Sequence, residues 1–154
     1  EDCSVVVLDA FLPDEQLDEL LRSSHIFLLP SARIHIMSVL QAMAYGMVPV
    51  VSDGWGMTEY VEHGKTGLIV RGRYGKVAWN DETNGMLREH YAPMRQCDVQ
   101  LTQFLVDALS QLADEPRLRQ ELGQGARHEV ESNFSLARWN VGLKRALDRA
   151  WTGE

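Results

Sequence analysis

Short apolar runs alternate, along the first half of the chain, with stretches whose apolar positions recur every three or four residues. Residues 4–8 (Ser-Val-Val-Val-Leu) and 26–29 (Ile-Phe-Leu-Leu) are continuous runs of the kind buried on both faces of a parallel sheet, and residues 48–52 make a third. Between them the period is helical. Pro13 opens one helix, with Asp14 and Glu15 in the first turn, where carboxylates oppose the positive end of the helix dipole, and Leu17, Leu20 and Leu21 on its apolar side. Residues 33–45 form the next, with Ile36, Met37, Leu40, Met43 and Ala44 sharing a face and Gly46 placed as a C-cap. Pro49 is a local conflict within the third run: it has no N–H, and is tolerable only near the strand start or where that donor is not needed.

A glycine-containing turn at 54–56, a short helix over 58–62 and a tight turn over 64–67 lead to a fourth strand at 68–70. This alternation predicts an α/β fold, a Rossmann-like doubly wound parallel sheet of at least four strands with flanking helices. Four strands are few for such a sheet, so at least one more is expected before Glu1. Residues 71–100 lack periodicity yet hold Tyr74, Trp79, Tyr91 and Pro93, which predicts a long irregular insertion projecting from the sheet. Helices resume with Leu101, Phe104, Leu105, Ala108, Leu109 and Leu112, again near Pro116, and a last time after Ser135. That last helix aligns Trp139, Leu143, Ala146, Leu147 and Ala150.

Composition narrows the function. The formal charge of −7 argues against a nucleic-acid module, which needs a basic field to meet phosphates. Cys3 and Cys97 belong to no Cys-x-x-Cys pair, so no structural zinc site is expected and a reducing, cytoplasmic setting fits best. The apolar runs are too short to span a bilayer, and the acidic start is not a signal peptide.

Ligands of open parallel sheets lie beyond the carboxyl ends of the strands, where loops meet the amino ends of the following helices. Here those junctions are residues 30–36, 52–58 and 64–67. Backbone N–H groups at the start of the 33–45 helix favour an anion such as phosphate.

The ordered string is more specific: Pro30-Ser31, then Gln41-Ala42-Met43-Ala44-Tyr45-Gly46, Val48-Pro49-Val50-Val51, Ser52, Gly56, Glu59, and Gly64-Lys65-Thr66-Gly67-Leu68-Ile69-Val70. It resembles the C-terminal domain of GT-B-fold retaining glycosyltransferases (glycosyl transferases group 1, the family-four-like enzymes) with their glutamate, seven residues, glutamate motif. The resemblance runs from about Val5 to Trp151. It implies that 1–154 is the nucleotide-sugar donor-binding lobe, with an insertion at about 71–100. The acceptor-binding N-terminal lobe of the same protein lies elsewhere, so this chain alone is expected to be inactive. The partners implied are a nucleoside diphosphate sugar and an acceptor sugar, lipid or small molecule, with no cofactor. The intact protein is expected to be cytoplasmic or peripheral to the membrane.

The motif's two glutamates fall on Arg33 and Gln41. Gln41 keeps one acceptor oxygen for ribose hydroxyls, and Arg33 reverses the charge where the donor sugar would be met. Ile34 and Ile36 replace small residues that let the backbone approach the ligand, and His35 stands where an aromatic residue is frequent. Gly54 and Gly56 serve backbone geometry next to the donor, and Glu59 either contacts it or caps the short helix. These eight residues are the expected binding set; no catalytic residue is assigned. The competing readings are a noncatalytic GT-B-like domain with a degenerate donor site and, behind it, a GT-B sugar-nucleotide epimerase.

Overall fold

The computed structural model describes residues 4–32, 35–74, 76–91 and 97–152. As expected, Pro13 opens helix α1 (Asp14–Ser23): its carbonyl accepts the first helical hydrogen bond, from Leu17 N–H at 3.0 Å. Strand β1 (Ile26–Leu29), helix α2 (Ile36–Ala44), strand β2 (Val48–Ser52), a 3-10 turn (Met57–Glu59) and strand β3 (Leu68–Val70) follow in the predicted order. The strands form one parallel sheet, β1-β2-β3, with Ile26 beside Val48 and Val50 beside Leu68.

All five residues of β2 are buried, the signature of a central parallel strand covered on both faces. On one face Val48, Val50, Leu68 and Val70 pack against Leu101, Ala108 and Leu112 of α3 (Val99–Asp114) and Leu122 of α4 (Pro116–Asn133). On the other, Val51 packs with Val39 and Met43 of α2, Met57, Val61 and Ala126. Fully burying such a side chain is worth about 1.5–3 kcal/mol, so these two layers dominate stability.

The Pro49 conflict resolves by register. Val48 N–H bonds the His25 carbonyl on the β1 side, so the ring nitrogen of Pro49 faces the β3 side, ahead of the point where that ladder begins at Val50 and Leu68.

Several expectations are corrected. Residues 4–8 form no strand, and Val5, Val6 and Val7 are 82%, 78% and 80% exposed. An apolar run becomes a strand only where a neighbour completes its ladder, and no described residue pairs with this one. The sheet accordingly has three strands among the described residues, not four. Helix α2 starts at Ile36 rather than 33, and its buried face is Val39, Ala42 and Met43; Met37 is 77% exposed.

Residues 71–100 stay out of the central sheet, as expected, but are not wholly irregular. They contain an antiparallel hairpin of β4 (Ala78–Asn80) and β5 (Leu87–Glu89). Asp81 nucleates its turn by accepting the Thr83 N–H at 3.0 Å on its side chain and the Gly85 N–H at 2.7 Å on its carbonyl, with Gly85 at φ +67°. The chain closes with α5 (Leu136–Thr152), started by Ser135 as predicted, whose Oγ accepts the Arg138 N–H at 3.4 Å. No residue of α5 is buried, and its aligned apolar side lies open.

Helix α4 passes beneath the amino ends of β2 and β3. A methyl group on Gly123 would meet the Gly46 carbonyl oxygen, and one on Gly125 the Lys65 carbonyl oxygen, both well inside contact distance. Only glycine allows a helix to lie this close to two turns.

Near that crossing, Asp18 joins α1 to the end of α2: it accepts hydrogen bonds from Arg22 Nε (2.6 Å) and from the Tyr45 hydroxyl. The Arg22 hydrogen bond first, and the Tyr45 hydroxyl second, hold the Asp18 carboxyl below the usual carboxylate range, while donation to Asp18 raises the Tyr45 phenol. Linkage fixes the signs. The Asp18 contribution is complete above its unfolded value and disappears as acid carries pH through the lowered folded value. The Tyr45 contribution is complete below the ordinary phenol value and disappears as pH rises through the raised one. Melting temperatures of the parent chain and Tyr45→Phe should therefore differ across the neutral plateau and converge at both extremes. A difference independent of pH would rule out this triad as its source.

Candidate functional site

The carboxyl ends of β1 and β2 deliver two loops that are fastened together. Ser52, buried at the end of β2, donates from Oγ to the Ser31 carbonyl at 2.5 Å. Two residues on, Gly54 is buried against the same loop, where an added Cβ would stand 2.7 Å from the Ser31 oxygen and 2.8 Å from that of Ala32. A hydrogen bond and a glycine contact thus set the separation of the junctions that flank the amino end of α2.

That end carries no side-chain cap: His35 is the N-cap residue, is exposed, and makes no capping hydrogen bond. A helix start of this kind keeps its first-turn N–H groups and its partial positive charge directed at the space beyond the sheet. Ile36, the first helical residue, is half-buried. Gln41 follows five residues later, which is about 7.5 Å along the axis at the helical rise. It is exposed, on the side of α2 that also carries Met37 and Ser38, with no hydrogen bond from its side chain to another described residue. The distance is nearer one and a half turns than the two expected of a helix beginning at 33. Arg33 and Ile34 lie outside the described residues.

Gly56 has φ +83°, a left-handed conformation open to glycine at little cost, and it starts the 3-10 turn. Glu59 closes that turn, its N–H donating to the Gly56 carbonyl at 3.2 Å. It caps nothing, and it lines a small hollow with Glu62, Thr66 and Glu129, none of which belongs to the expected set. Gly54 thus lies directly against the residues that lead toward α2, with Gly56 two residues on and Glu59 within the 3-10 turn that Gly56 starts.

The sequence reading missed Asp53. Its Oδ1 accepts the N–H groups of Gly72, Arg73 and Tyr74 at 2.9, 2.6 and 3.1 Å, and its own N–H donates to the Val70 carbonyl at 2.8 Å. One carboxylate thereby ties the loop after β3 to the loop after β2. A short acidic residue directly after a strand and before glycine was the available signal, because such residues seek nearby backbone donors. Beside it, Arg73 Nε is buried without a partner among the described residues.

No group of His, Cys, Asp or Glu among the described residues is arranged to hold a metal ion. Cys97 is free and exposed; Cys3 lies outside the described residues. No helix of the described residues is long and apolar enough to cross a membrane.

The family profile described as Glycosyl transferases group 1 matches residues 6–95, more than half of the chain. No curated protein matches. Among solved structures, the chain is similar to the C-terminal domain of a glycosyl transferase group 1 family protein, LpcC, from Francisella tularensis. The TM-score is 0.59 and the identity 14%, and the similarity covers 84% of this chain and 53% of that one. The chain thus spans about half the length of that structure, and at this identity the likeness speaks for the fold, a GT-B C-terminal domain. The profile match and the fold agree with the loop geometry at the α2 end of the sheet: the chain belongs to the glycosyl transferases group 1.

Proposed function

We propose that this chain is the donor-binding part of a glycosyltransferase that moves a sugar, with retention, from a nucleoside diphosphate sugar to an acceptor held by another lobe. The supporting observation is the fastening of Ser31 and Ala32 to Ser52 and Gly54 ahead of α2, whose start carries no side-chain cap. The positive end of a helix without a side-chain cap suits a diphosphate, and Gln41 on the open side of α2 suits the ribose. The chain's role is then to bind and orient the donor. The guanidinium of Arg33 matches phosphate oxygens in a two-pronged fashion, so in sequence terms it suits a compensating contact to the diphosphate.

The test restores what the motif lacks. Charged hydrogen bonds are worth about 1.5–3 kcal/mol and neutral ones about 0.5–1.5, so Gln41→Glu should tighten uridine or guanosine diphosphate roughly five-fold if Gln41 meets the ribose. Gln41→Ala should weaken it. Titration followed by amide chemical shifts gives the answer, with shifts expected at 31–38 and 52–56. Shifts elsewhere, or affinities indifferent to both substitutions, remove the assignment. One observation favours a second reading, a noncatalytic domain: both motif carboxylates are replaced, by Arg33 and Gln41. Absence of binding by any nucleoside diphosphate, with the chain folded, would select it.

A further inference from the structure

At the opposite end of the sheet, below the amino ends of the strands, lies a cavity of about 520 Å³. It is an open hollow lined by the end of α1, the residues entering β1 and β2, and the first three turns of α4. Its charge is unusual for this chain. Acidic residues outnumber basic ones 22 to 15 overall, yet the lining holds Arg22, Arg119, Arg127 and His25 and no carboxylate. Gln120 and Gln124 add neutral donors.

The three guanidiniums are only partly engaged. Arg22 uses Nε and Nη2 on Asp18, Arg119 uses Nη1 on the Leu112 carbonyl at 2.6 Å, and Arg127 uses Nε on Glu131 at 2.9 Å. Each guanidinium carries five N–H donors, so each retains nitrogens that bond no other described residue. The Arg22 and Arg127 pairs are exposed contacts between residues four apart on one helix, the weak class of ion pair, and an incoming anion can share those cations. Gly46 and Gly123 hold the back wall at backbone contact, so the cavity is set by the packing of the core and not by a loose loop.

We propose that this cavity is a second ligand site, for a small phosphate-bearing anion, separate from the loops at the carboxyl ends of the strands and independent of the donor reading. Three arginines lining one hollow offer guanidiniums that fit phosphate oxygens by paired hydrogen bonds, and the volume suits a phosphorylated metabolite or a lipid headgroup. Because α4 supplies two of the arginines and also braces both strand turns, occupancy would stiffen the amino end of the sheet.

The probe is inorganic pyrophosphate, titrated into the full 154-residue chain and followed by amide chemical shifts. Shifts should centre on Gly46, Gln120, Gly123 and Gln124, and affinity should fall as ionic strength rises. Arg127→Ala, which breaks only an exposed pair, should weaken binding roughly ten-fold. Arg22→Ala should do the same. Arg119 also caps the end of α3, so Arg119→Lys serves in place of alanine. Vesicles containing phosphatidylglycerol identify the source: displacement of pyrophosphate from the same amides means a lipid headgroup, and inert vesicles mean a dissolved phosphate ester. The proposal is overturned by no shifts at all, by shifts confined to 31–35 and 52–56, or by affinities unchanged in both Arg22→Ala and Arg127→Ala.

Discussion

Gly123→Ala should destabilise the chain by roughly 2–3 kcal/mol, the range for forcing atoms into a filled interior. The obstacle is the Gly46 carbonyl oxygen, which belongs to backbone and cannot swing aside as a side chain would. Gly46 itself has φ +76° and its N–H is held by the Met43 carbonyl at 2.9 Å, so the turn has little room to retreat. Gly142→Ala makes the comparison sharp. Gly142 also sits inside a helix, but an added Cβ there meets nothing within 4 Å. Alanine should therefore stabilise α5 by about 0.5–1 kcal/mol through helix propensity alone. Denaturant midpoints for the two variants should move in opposite directions with similar slopes. Equal effects would mean that α4 does not cross the strand ends as described.

Asp53→Ala should produce the other large effect. It strips the acceptor from three backbone N–H groups and leaves donors at Gly72, Arg73 and Tyr74 to water or to nothing. Hydrogen bonds to a charged group are worth about 1.5–3 kcal/mol each, but three on one oxygen are not additive, so a loss of roughly 3 kcal/mol is expected. Asp53→Asn keeps a neutral acceptor and should recover part of it. Hydrogen exchange at residues 72–74 should accelerate in both variants, more in alanine. Slow exchange there despite a lowered denaturant midpoint would separate Asp53's stabilising role from any hold on that loop.

The strand-helix alternation from Asp14 to Val70 was legible because burial on both faces writes continuous apolar runs, and β2 is buried throughout. Residues 4–8 show the limit of that signal: the same run without a neighbour stays open, because pairing is a property of the partner as much as of the segment. The β4–β5 hairpin was overlooked although Asn84-Gly85 is a strong turn signal; its strands are three residues each, too short for alternation to register. The face of α2 was misjudged because methionine at 37 weighs heavily in an apolar count, whereas Ala42 is small enough to let the helix approach and so is the one buried. Within the site, the glycines after β2 could be placed from sequence, whereas the start of α2 was set three residues too early. The position of Asp53 before Gly54 was a signal, but its three partners were not legible, because they lie about twenty residues away and their convergence depends on the β2–β3 register.

The glycine crossing of α4 also divides the sheet mechanically. At the amino ends, helix backbone rests on turn backbone at Gly123 and Gly125, contacts that no side-chain movement can relieve. At the carboxyl ends one such glycine contact, at Gly54, is joined by two polar side chains, Ser52 and Asp53, whose hydrogen bonds are made and broken singly. The carboxyl pole thus has more hydrogen bonds that can be exchanged for water than the amino pole. Local opening events should be more frequent around residues 52–56 and 72–74 than at the strands' other end, so that ligand-facing segments adjust without loosening the fold that carries them.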